Sequence, residues 1–378
     1  MKIVHLMRNA RATDGGPTRA LVAHFNVMSR RGHEVIVLSA DFGTSGLPES
    51  SVIPLRVSLK HWGGLRQYSN MTALRYVSEA DIVHMHLPWD PVNIAVARWA
   101  KRAGVPYCVS LRGTLDDWSM SQKAIKKRLY MTLFARRLLE EAAFVHCTAQ
   151  DECRQSEPWY PRGKSEVIPN LVDLDEFKVP PNAEMAKARF GISPNDRTVL
   201  FLSRIHEKKG LHFLIDSMAY VKKRVPNVRL IVAGTGEPDY VASLHRRAAA
   251  TGIRADFVGH VAGEMKLSLL RASDCFALPS SQENFGFALF ESALVGTPIV
   301  VSDLVDTWRE LRDGVGAVIV RQSPDKIAEG IEDVLLSDLG GSSARTRSRS
   351  WAMEYLSVER IAGTFERAYQ SAIAARQR

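Results

Sequence analysis

The sequence contains 378 residues, of which 46% are hydrophobic and 24% are charged, so its composition is that of a globular protein and not of a disordered or fibrous one. A chain of this length is expected to form two domains, each with its own core. The formal net charge of +9 favours an anionic partner, such as a nucleotide, a nucleic acid or a lipid surface, and composition does not distinguish among them.

The first residues of the chain indicate a strand. Met1 to Leu6 lack the long apolar centre and the cleavage site of a signal peptide. No window approaches the ~18 uninterrupted apolar residues of a membrane-spanning helix. We therefore expect a cytoplasmic protein. Its four cysteines form no C-x-x-C pair and are expected to be buried, reduced thiols: Cys108, Cys147, Cys153 and Cys275.

Short β-rich runs alternate with amphipathic stretches along nearly the whole chain, which predicts βα units packed on parallel sheets. In the first half, the predicted strands are 2–7, 34–39, 52–57, 81–86, 106–111, 143–147 and 166–168, with helices at 18–31, 91–103 and 123–140. In the second half, the predicted strands are 197–202, 228–233, 255–258, 274–278, 298–301 and 317–320. The helices of this half are predicted at 209–224, 239–251, 264–272, 286–295 and 325–337, and a last helix at about 357–375.

Paired prolines separate the two series of elements. The segment Val179-Pro180-Pro181-Asn182 favours an extended linker, so we predict Rossmann-like domains at 1–178 and 179–356, with the last helix, about 357–378, able to pack back on the first. The stretch from Gly340, with its Arg/Ser alternation, is predicted to be an exposed loop. Two α/β domains joined in this way are expected to face a cleft, and ligands of open parallel sheets bind beyond the carboxyl ends of the strands.

A glycine turn follows the first strand. Gly15 and Gly16 precede the first predicted helix, and adjacent glycines let the backbone approach a ligand closely. The helix start adds unpaired N–H groups and the positive end of a dipole, which suit a diphosphate. A purely structural turn is the alternative.

The first strand of the second half leads into a basic turn, in which Arg204 ends the strand and Lys209 precedes a helix. A guanidinium and an ammonium at this edge of the sheet would clamp phosphate oxygens, although a solvated charged loop has the same composition. Two common nucleotide motifs are absent. Gly234-Thr235-Gly236 has Asp239 in place of the third glycine of G-x-G-x-x-G, and Gly163-Lys164-Ser165 lacks the first glycine of a P-loop.

Two glutamates flank a predicted helix start. Glu283 lies on the loop before it and Glu291 in its second turn, with the free amides of the helix start between them. The carboxylates would be roughly 10 Å apart, more than the ~5 Å between the acids of a retaining glycosidase. A nucleotide sugar matches this layout, because it has sugar hydroxyls, a diphosphate and a ribose diol in sequence. A dipole-stabilising glutamate with a second one by chance is the alternative.

The pattern Glu283-x7-Glu291 closely resembles the E-x7-E motif of family 4 retaining glycosyltransferases, which have the GT-B fold. The resemblance extends over nearly the whole chain through a set of short motifs: Gly15-Gly16, Arg31-Gly32-His33-Glu34-Val35, Ser203-Arg204 with Lys209-Gly210, Ala233-Gly234-x-Gly236, and Gly296-Thr297-Pro298-Ile299-Val300.

The resemblance implies roles for particular residues. Arg204 and Lys209 would bind the donor diphosphate and stabilise the departing nucleotide, Glu283 would bind the donor sugar, and Glu291 the ribose. The remaining donor-binding residues that the resemblance implies are Gly15, Gly16, Gly234, Val258, Asn284, Phe285, Gly286 and Phe287.

The chain departs from the family pattern in two places. Many relatives have His-Gly after the strand that ends here at Leu111, whereas this chain has Arg112-Gly113, with Asp116 shortly after it. Arg112 and Asp116 are the predicted acceptor-binding residues, and contact of Arg112 with the donor in place of an acidic acceptor is the alternative. The family's Pro-Asn-Gly appears as Pro169-Asn170-Leu171, so the role of its glycine does not carry over.

The resemblance implies transfer of a sugar from a UDP-, GDP- or ADP-sugar to a glycan or lipid-linked acceptor with retention, in surface polysaccharide or glycolipid synthesis. No protein nucleophile, cofactor or metal is expected. Two other functions stay open: a nucleotide-sugar epimerase of similar fold, and a noncatalytic nucleotide or nucleic-acid binder. Nucleic acid is disfavoured because the sequence lacks interleaved base-stacking aromatics.

The segment 123–137 combines cationic residues with aliphatic and aromatic ones at helical spacing. Such a helix suits the surface of an anionic leaflet, which predicts peripheral association with the inner face of the cell membrane. Packing of its apolar side on the first domain is the alternative.

Overall fold

The computed structural model describes residues 1–43, 46–55 and 71–376, and the side chains of Met71 and Thr72 are not described. The chain forms two compact units, Met1–Asp173 with Leu356–Arg378, and Leu174–Tyr355. The last helix therefore belongs to the same unit as the first strand. The domain limits drawn from the sequence at 178/179 and 356/357 stay predictions.

The first unit contains a parallel sheet of seven strands in the order β3-β2-β1-β4-β5-β6-β7. The strands are β1 Lys2–Leu6, β2 Glu34–Ser39, β3 Val52–Pro54, β4 Ile82–His86, β5 Tyr107–Ser110, β6 Phe144–Cys147 and β7 Ser165–Val167. The helices are α1 Gly16–Arg30, α2 Met71–Ser78, α3 Pro91–Arg102, α4 Asp117–Ser121, α5 Ala124–Tyr130, α6 Arg136–Glu140, α7 Gln150–Ser156 and, at the end of the chain, α16 Val358–Arg376. A π-helical turn, Met131–Ala135, joins α5 to α6. The predicted strands are confirmed, and the end of the strand predicted at 52–57 lies outside the described residues.

The two faces of this sheet differ in chemistry because side chains alternate along each strand. On one face, Val4, Val83 and Val109 belong to an apolar core with residues of α2, α3 and α6. The other face presents buried imidazoles, and helices α1 and α16 contribute a fifth imidazole and two aromatic rings next to them. These residues are His5, His84, His86, His146, His24, Phe365 and Tyr369.

The second unit contains a parallel sheet of six strands in the order β10-β9-β8-β11-β12-β13. The strands are β8 Arg197–Leu202, β9 Val228–Ala233, β10 Arg254–Gly259, β11 Cys275–Leu278, β12 Ile299–Ser302 and β13 Val318–Val320. The helices are α8 Ala183–Phe190, α9 Leu211–Arg224, α10 Pro238–Thr251, α11 Gly263–Ala272, α12 Phe287–Val295, α13 Trp308–Val315, α14 Pro324–Leu336 and α15 Ser342–Tyr355. Both sheets are therefore doubly wound α/β sheets, as predicted.

The predicted exposed loop from Gly340 onward is wrong, because the Arg/Ser stretch forms α15. The ring of Tyr355 stacks on Phe290 of α12 with centroids 5.6 Å apart, and Trp351 stacks on Tyr355 at 4.6 Å. This aromatic packing fixes a helix that the polar composition does not indicate. The sequence also missed α2, α4, α7, α8 and α13, which are short.

The four cysteines are buried and free, as predicted. In the part of the chain that the structure describes, no helix combines the length and the apolar character needed to cross a lipid bilayer.

Acid should unfold the first unit. Burial, followed by the charge of Arg112, lowers the pKa of His5 and of His146 to about 3, and burial holds the pKa values of His24, His84 and His86 well below the ordinary 6.5. The unfolded chain therefore binds more protons below pH 6.5, so the stability is complete above that pH and falls as the pH drops toward 3. Below pH 6.5, each of these buried histidines lowers the free energy of unfolding by about 1.4 kcal/mol per pH unit. For all five, the loss near pH 5 is comparable with the typical total stability of a domain, about 5–15 kcal/mol.

The measurement is hydrogen–deuterium exchange of the full chain from pH 7.5 to 5, with the peptides of each unit followed separately. We expect those of the first unit to lose protection first. His206→Gln, which removes a partly exposed histidine of the second unit, should not change the transition. Equal loss in both units would contradict the prediction.

Candidate functional site

The loops that follow β8 and β11 are in direct contact. Gly210, at the start of α9, has φ +71°, and a Cβ there would lie 2.0 Å from the carbonyl oxygen of Pro279. The N–H of Ser281 donates to the carbonyl of Lys208 over 2.7 Å, and the Lys208 ammonium donates to Gln282 over 3.1 Å. Glycine at 210 is therefore required by the approach of the two loops, which brings the basic turn to the acidic one.

This contact joins two predicted site residues. The Lys209 ammonium donates to the carboxylate of Glu283, and Lys209 is 6% exposed. The Glu283 backbone is fixed separately, because its carbonyl accepts from the N–H of Asp306 over 2.9 Å. The buried ammonium of Lys209 and the carboxylate of Glu283, a residue whose backbone is fixed, thus lie together at the carboxyl ends of β8 and β11.

Helix α12 begins one residue later than predicted, at Phe287, and Gly286 precedes it with φ +70°. A Cβ at Gly286 would lie 2.5 Å from Leu289 and 3.2 Å from Cγ of Glu283, so glycine lets the turn close next to that glutamate. Phe285 is buried on Phe290, with ring centroids 4.3 Å apart.

Asn284 also lies on this turn, where its side-chain amide donates to the carboxylate of Asp306 over 3.1 Å. Asp306 was not predicted as a site residue, and no local motif distinguishes it. The structure thus brings together the predicted set Glu283, Asn284, Phe285, Gly286 and Phe287 at one helix start.

Glu291 lies in the second turn of α12, as predicted, and is 2% exposed. Its carboxylate accepts from the ammonium of Lys266 in α11 over 2.6 Å. Lys266 was not predicted from the sequence, because the residue lies on another helix and its partner depends on how α11 and α12 pack. Burial and the bond from Lys266 therefore fix the orientation of the Glu291 carboxylate.

Gly234 and Gly236 have a packing role. A Cβ at Gly234 would lie 1.9 Å from the carbonyl oxygen of Ser203, and one at Gly236 2.2 Å from that of Ile205. The N–H of Gly234 donates to the carbonyl of Gly259 over 2.7 Å. Both glycines therefore let the loops after β8, β9 and β10 meet. Contact of Gly234 and of Val258, next to Gly259 in β10, with a nucleotide base stays a prediction.

Positive charge surrounds the turn after β8. Arg204 is exposed and has no hydrogen bond or ion pair with any residue that the structure describes. Burial and then the charges of Lys208 and Arg204 lower the pKa of His206. The guanidinium of Arg204 is therefore available for an anion, whereas the ammonium of Lys209 already has a carboxylate partner.

In the first unit, Gly15 with φ +79° is the residue before α1, and Gly16 begins that helix. Apart from the adjoining backbone, no atom of the described residues lies within 4 Å of the position that a Cβ would take at either glycine. Unlike Gly210, Gly234 and Gly236, this pair is not required by close contact with another loop among the described residues.

Arg112 follows β5 with φ +60°, a conformation rare in residues other than glycine. Its guanidinium donates to Asn170 and to Nδ1 of His86, the latter over 3.4 Å, and its buried Nε has no hydrogen-bond partner among the described residues. Burial lowers the pKa of Arg112 to about 10, against the opposing charge of Glu152. Asn170 thus holds Arg112, although the glycine that follows this asparagine in the family pattern is replaced by Leu171.

Two carboxylates near Arg112 support the backbone around it. Glu152, fully buried, accepts from the N–H of Gly113 over 2.6 Å and from that of Thr148 over 2.5 Å. Asp116 is 2% exposed and caps α4 by accepting from the N–H of Ser119 over 2.5 Å. The sequence missed Glu152. Binding of an acceptor by Asp116 stays a prediction, and the structure shows its carboxylate in a cap.

Two family models match the chain, one on each unit. Residues 15–171 match a model described as glycosyl transferase 4-like domain, and residues 182–350 match one described as glycosyl transferases group 1.

Named relatives and solved structures resemble the chain over most of its length. The phosphatidyl-myo-inositol mannosyltransferase of Mycobacterium tuberculosis is 29% identical over 88% of this chain and 86% of its own. The D-inositol 3-phosphate glycosyltransferase of Nocardia farcinica is 28% identical over 92% of this chain and 76% of its own. The crystal structure of Anabaena HepE in complex with UDP and glucose has a TM-score of 0.79 at 22% identity and covers 98% of this chain and 100% of its own, which shows the fold.

Proposed function

The chain belongs to the family 4 glycosyltransferases, which have the GT-B fold, and from this premise we propose that it transfers a sugar from a nucleoside diphosphate to an acceptor hydroxyl with retention at the anomeric carbon. It is a glycosyltransferase, and what we propose is its donor, its acceptor and the stereochemistry of transfer. The observation that carries it is the contact of Lys209 with Glu283 just before α12, with the exposed Arg204 in the same turn as Lys209.

In the proposed reaction, the bond between the anomeric carbon and the leaving phosphate oxygen breaks as the acceptor oxygen attacks from the same face. The acceptor proton passes to the leaving phosphate, so no protein nucleophile is needed. Arg204 and Lys209 stabilise the charge that develops on the diphosphate, and fixed cations act most strongly where water is excluded. Glu283, released from Lys209 by the phosphate, accepts hydrogen bonds from the sugar. A product with inverted anomeric configuration would contradict retention.

The donor class follows from the same residues. Glu291, oriented by Lys266, would accept from the ribose hydroxyls, and the amides of Phe285, Gly286 and Phe287 would donate to the sugar or the phosphates. A UDP-sugar is favoured among UDP-, GDP- and ADP-sugars, because HepE of similar fold binds UDP and glucose. In the first unit, Gly15 and Gly16 would lie against phosphate or the reacting centre.

The proposed acceptor is a lipid-linked saccharide or another polyol bearing an anionic group. The two named relatives act on phosphatidyl-myo-inositol and on D-inositol 3-phosphate, both of which carry a phosphate next to a ring of hydroxyls. Arg112 is the residue of this chain that fits such a group, since its buried guanidinium has no carboxylate within ion-pair distance among the described residues. The epimerase and the noncatalytic binder are not favoured, because they leave Arg112 without a role.

We also propose that the segment 123–137 binds an anionic membrane surface. Its inward face, which includes Met131 and Ala135, is buried in the first unit, so the segment does pack on that unit. A second apolar row nevertheless stays exposed along the helix: Ile125 at 87%, Leu129 at 58%, Leu133 at 59% and Phe134 at 43%. Exposed cations flank this row: Lys123, Lys126, Arg128, Arg136 and Arg137. Apolar insertion and attraction to acidic headgroups would then act together.

Lys209→Ala should lower kcat about 100-fold, the usual effect of removing one group that stabilises developing negative charge. The assay measures transfer from UDP-glucose, GDP-mannose and ADP-glucose to phosphatidylinositol or D-inositol 3-phosphate. Lys208→Ala is the matched control, because the neighbouring ammonium contacts Gln282, and it should change kcat by less than about twofold. Equal effects of the two substitutions would remove Lys209 from the site.

Transfer should not require a divalent cation, because Arg204 and Lys209 supply the positive charge that the diphosphate needs. We expect the same rate in excess EDTA as in its absence, with protein first dialysed against the chelator. Loss of activity that Mn²⁺ restores would contradict this proposal.

Replacing Ile125, Leu129 and Leu133 together by Gln should weaken binding to vesicles of phosphatidylcholine with phosphatidylglycerol by at least about tenfold, since burial of one such side chain is worth about 1.5–3 kcal/mol. The measurement is cosedimentation. Leu336→Gln with Leu339→Gln, at exposed leucines of the second unit, is the matched control. Sedimentation that does not depend on the acidic lipid, or that both variants reduce equally, would argue against this surface.

A further inference from the structure

Nine polar groups form a continuous buried row on the histidine face of the first sheet. The row crosses β1, β4, β5 and β6 and includes one residue from each of the two covering helices, α1 and α16. In order, its members are Arg112, His86, His5, His24, Tyr369, His84, Ser110, His146 and the carbonyl of Ile168, each next to the following one. All of their side chains are at most 9% exposed.

The direction of the hydrogen bonds is fixed at the first end. Arg112 has no acceptor atom, so its guanidinium donates to Nδ1 of His86 over 3.4 Å. A neutral imidazole has one N–H, which places the proton of His86 on Nε2, facing Nδ1 of His5 at 3.0 Å. By the same rule, Nε2 of His5 donates to Nδ1 of His24 over 3.0 Å.

The other end fixes the same direction independently. The carbonyl of Ile168 only accepts, so Nε2 of His146 donates to it over 2.7 Å, and Nδ1 of His146 accepts from Ser110 over 2.6 Å. The Ser110 oxygen in turn accepts from Nε2 of His84 over 2.6 Å.

The two assignments meet at the hydroxyl of Tyr369. It donates to Nδ1 of His84 over 2.7 Å and accepts from Nε2 of His24 over 3.0 Å. Counting from either end therefore gives the same proton positions, and every ring nitrogen in the row has one partner. A single protonation pattern satisfies the whole row, with all five histidines neutral and protonated on Nε2.

We infer that this row is one directional hydrogen-bond chain that holds the guanidinium of Arg112 in place, so that Tyr369 and the histidines are positioning residues that act through Arg112. The functional part rests on the proposed role of Arg112 in binding the anionic group of the acceptor. The strained backbone at Arg112 and its single side-chain oxygen partner, Asn170, leave its orientation dependent on the bond to His86. Through Tyr369, this hydrogen-bond chain also anchors helix α16 to the first sheet.

A metal ion is the competing explanation. The ring nitrogens of His5, His84 and His86 lie within 4.8 Å of one another, as the only such group among the described residues. Each of these nitrogens already has a partner in the chain, and the positive Arg112 next to His86 opposes a second cation. Binding of a metal by all three histidines would therefore break this hydrogen-bond chain in at least two places.

The protonation pattern is tested by long-range ¹H–¹⁵N correlation spectra of the full chain labelled at histidine, with signals assigned by single His→Gln substitutions. At pH 7.5 we expect five neutral imidazoles protonated on Nε2. A proton on Nδ1 of any of the five would overturn the chain. So would one equivalent of zinc that survives dialysis and is lost in His5→Gln.

The positioning role is tested with Tyr369→Phe, which removes one hydroxyl from the middle of the chain. We expect the KM for phosphatidylinositol or D-inositol 3-phosphate to rise about tenfold, the equivalent of one hydrogen bond of about 1.4 kcal/mol, with the donor KM unchanged. Tyr107→Phe is the matched control, because that buried hydroxyl donates to the carbonyl of Leu138 in the same unit and lies outside the chain. Ser110→Ala breaks the chain elsewhere and replaces Tyr369→Phe if that variant does not fold.

The outcomes separate this inference from the proposed function. If Arg112→Gln raises the acceptor KM and neither Tyr369→Phe nor Ser110→Ala does, the positioning role is overturned while the acceptor role of Arg112 stands. If Arg112→Gln leaves the acceptor KM unchanged, the acceptor role fails and the positioning role with it. The spectra decide on the hydrogen-bond chain in either case.

Discussion

The approach of the Pro279 carbonyl to Gly210 is the constraint on which the site of the second unit depends. No side chain fits between the two loops at this point, so the turn after β8 lies directly on the turn after β11. Lys209 is the residue before Gly210, and Glu283 follows Pro279 by four positions. Close backbone packing therefore brings a cation and an acid together that are far apart in the sequence. The site is a consequence of loop packing at the ends of neighbouring parallel strands.

The acids of this site are held in two different ways. Glu283 is on a turn, partly exposed, with its backbone fixed by Asp306, and its partner Lys209 is on another loop. Glu291 is inside a helix, almost fully buried, and paired with Lys266 across a helix contact. Under the proposed function, the first acid would exchange its partner when a phosphate competes for the ammonium. The second acid, whose orientation is already set by Lys266, would bind hydroxyls.

The two faces of the sheet in the first unit are stabilised in different ways. One face of its sheet is an ordinary apolar core, whereas the other buries imidazoles, which is costly unless each nitrogen is satisfied. A chain with one cationic donor at its start and one carbonyl acceptor at its end meets that condition without burying an ionised histidine. These buried neutral imidazoles also make the unit sensitive to acid, because protonating any of the five histidines on Nδ1 removes a hydrogen-bond acceptor from the row. Specific hydrogen bonds here replace part of the apolar packing that α1 and α16 would otherwise supply.

Local patterns in the sequence were sufficient for some features. Alternating β-rich runs predicted both parallel sheets, because strand and helix periodicity are properties of neighbouring residues. The E-x7-E spacing placed Glu283 before a helix and Glu291 in its second turn for the same reason.

Only the tertiary structure decided the rest. Helix α15 forms from a polar, serine-rich segment because Trp351 and Tyr355 stack on α12, and no window of the sequence contains that contact. Lys266 and Glu152 acquire their roles from partners on other elements. The histidine chain needs Arg112 and Tyr369 at the same time as the strands, from positions more than a hundred residues apart. The sequence by itself determined the elements and the charges they carry, and the packing of those elements determined which charges meet, because hydrogen bonds and ion pairs depend on distances in space.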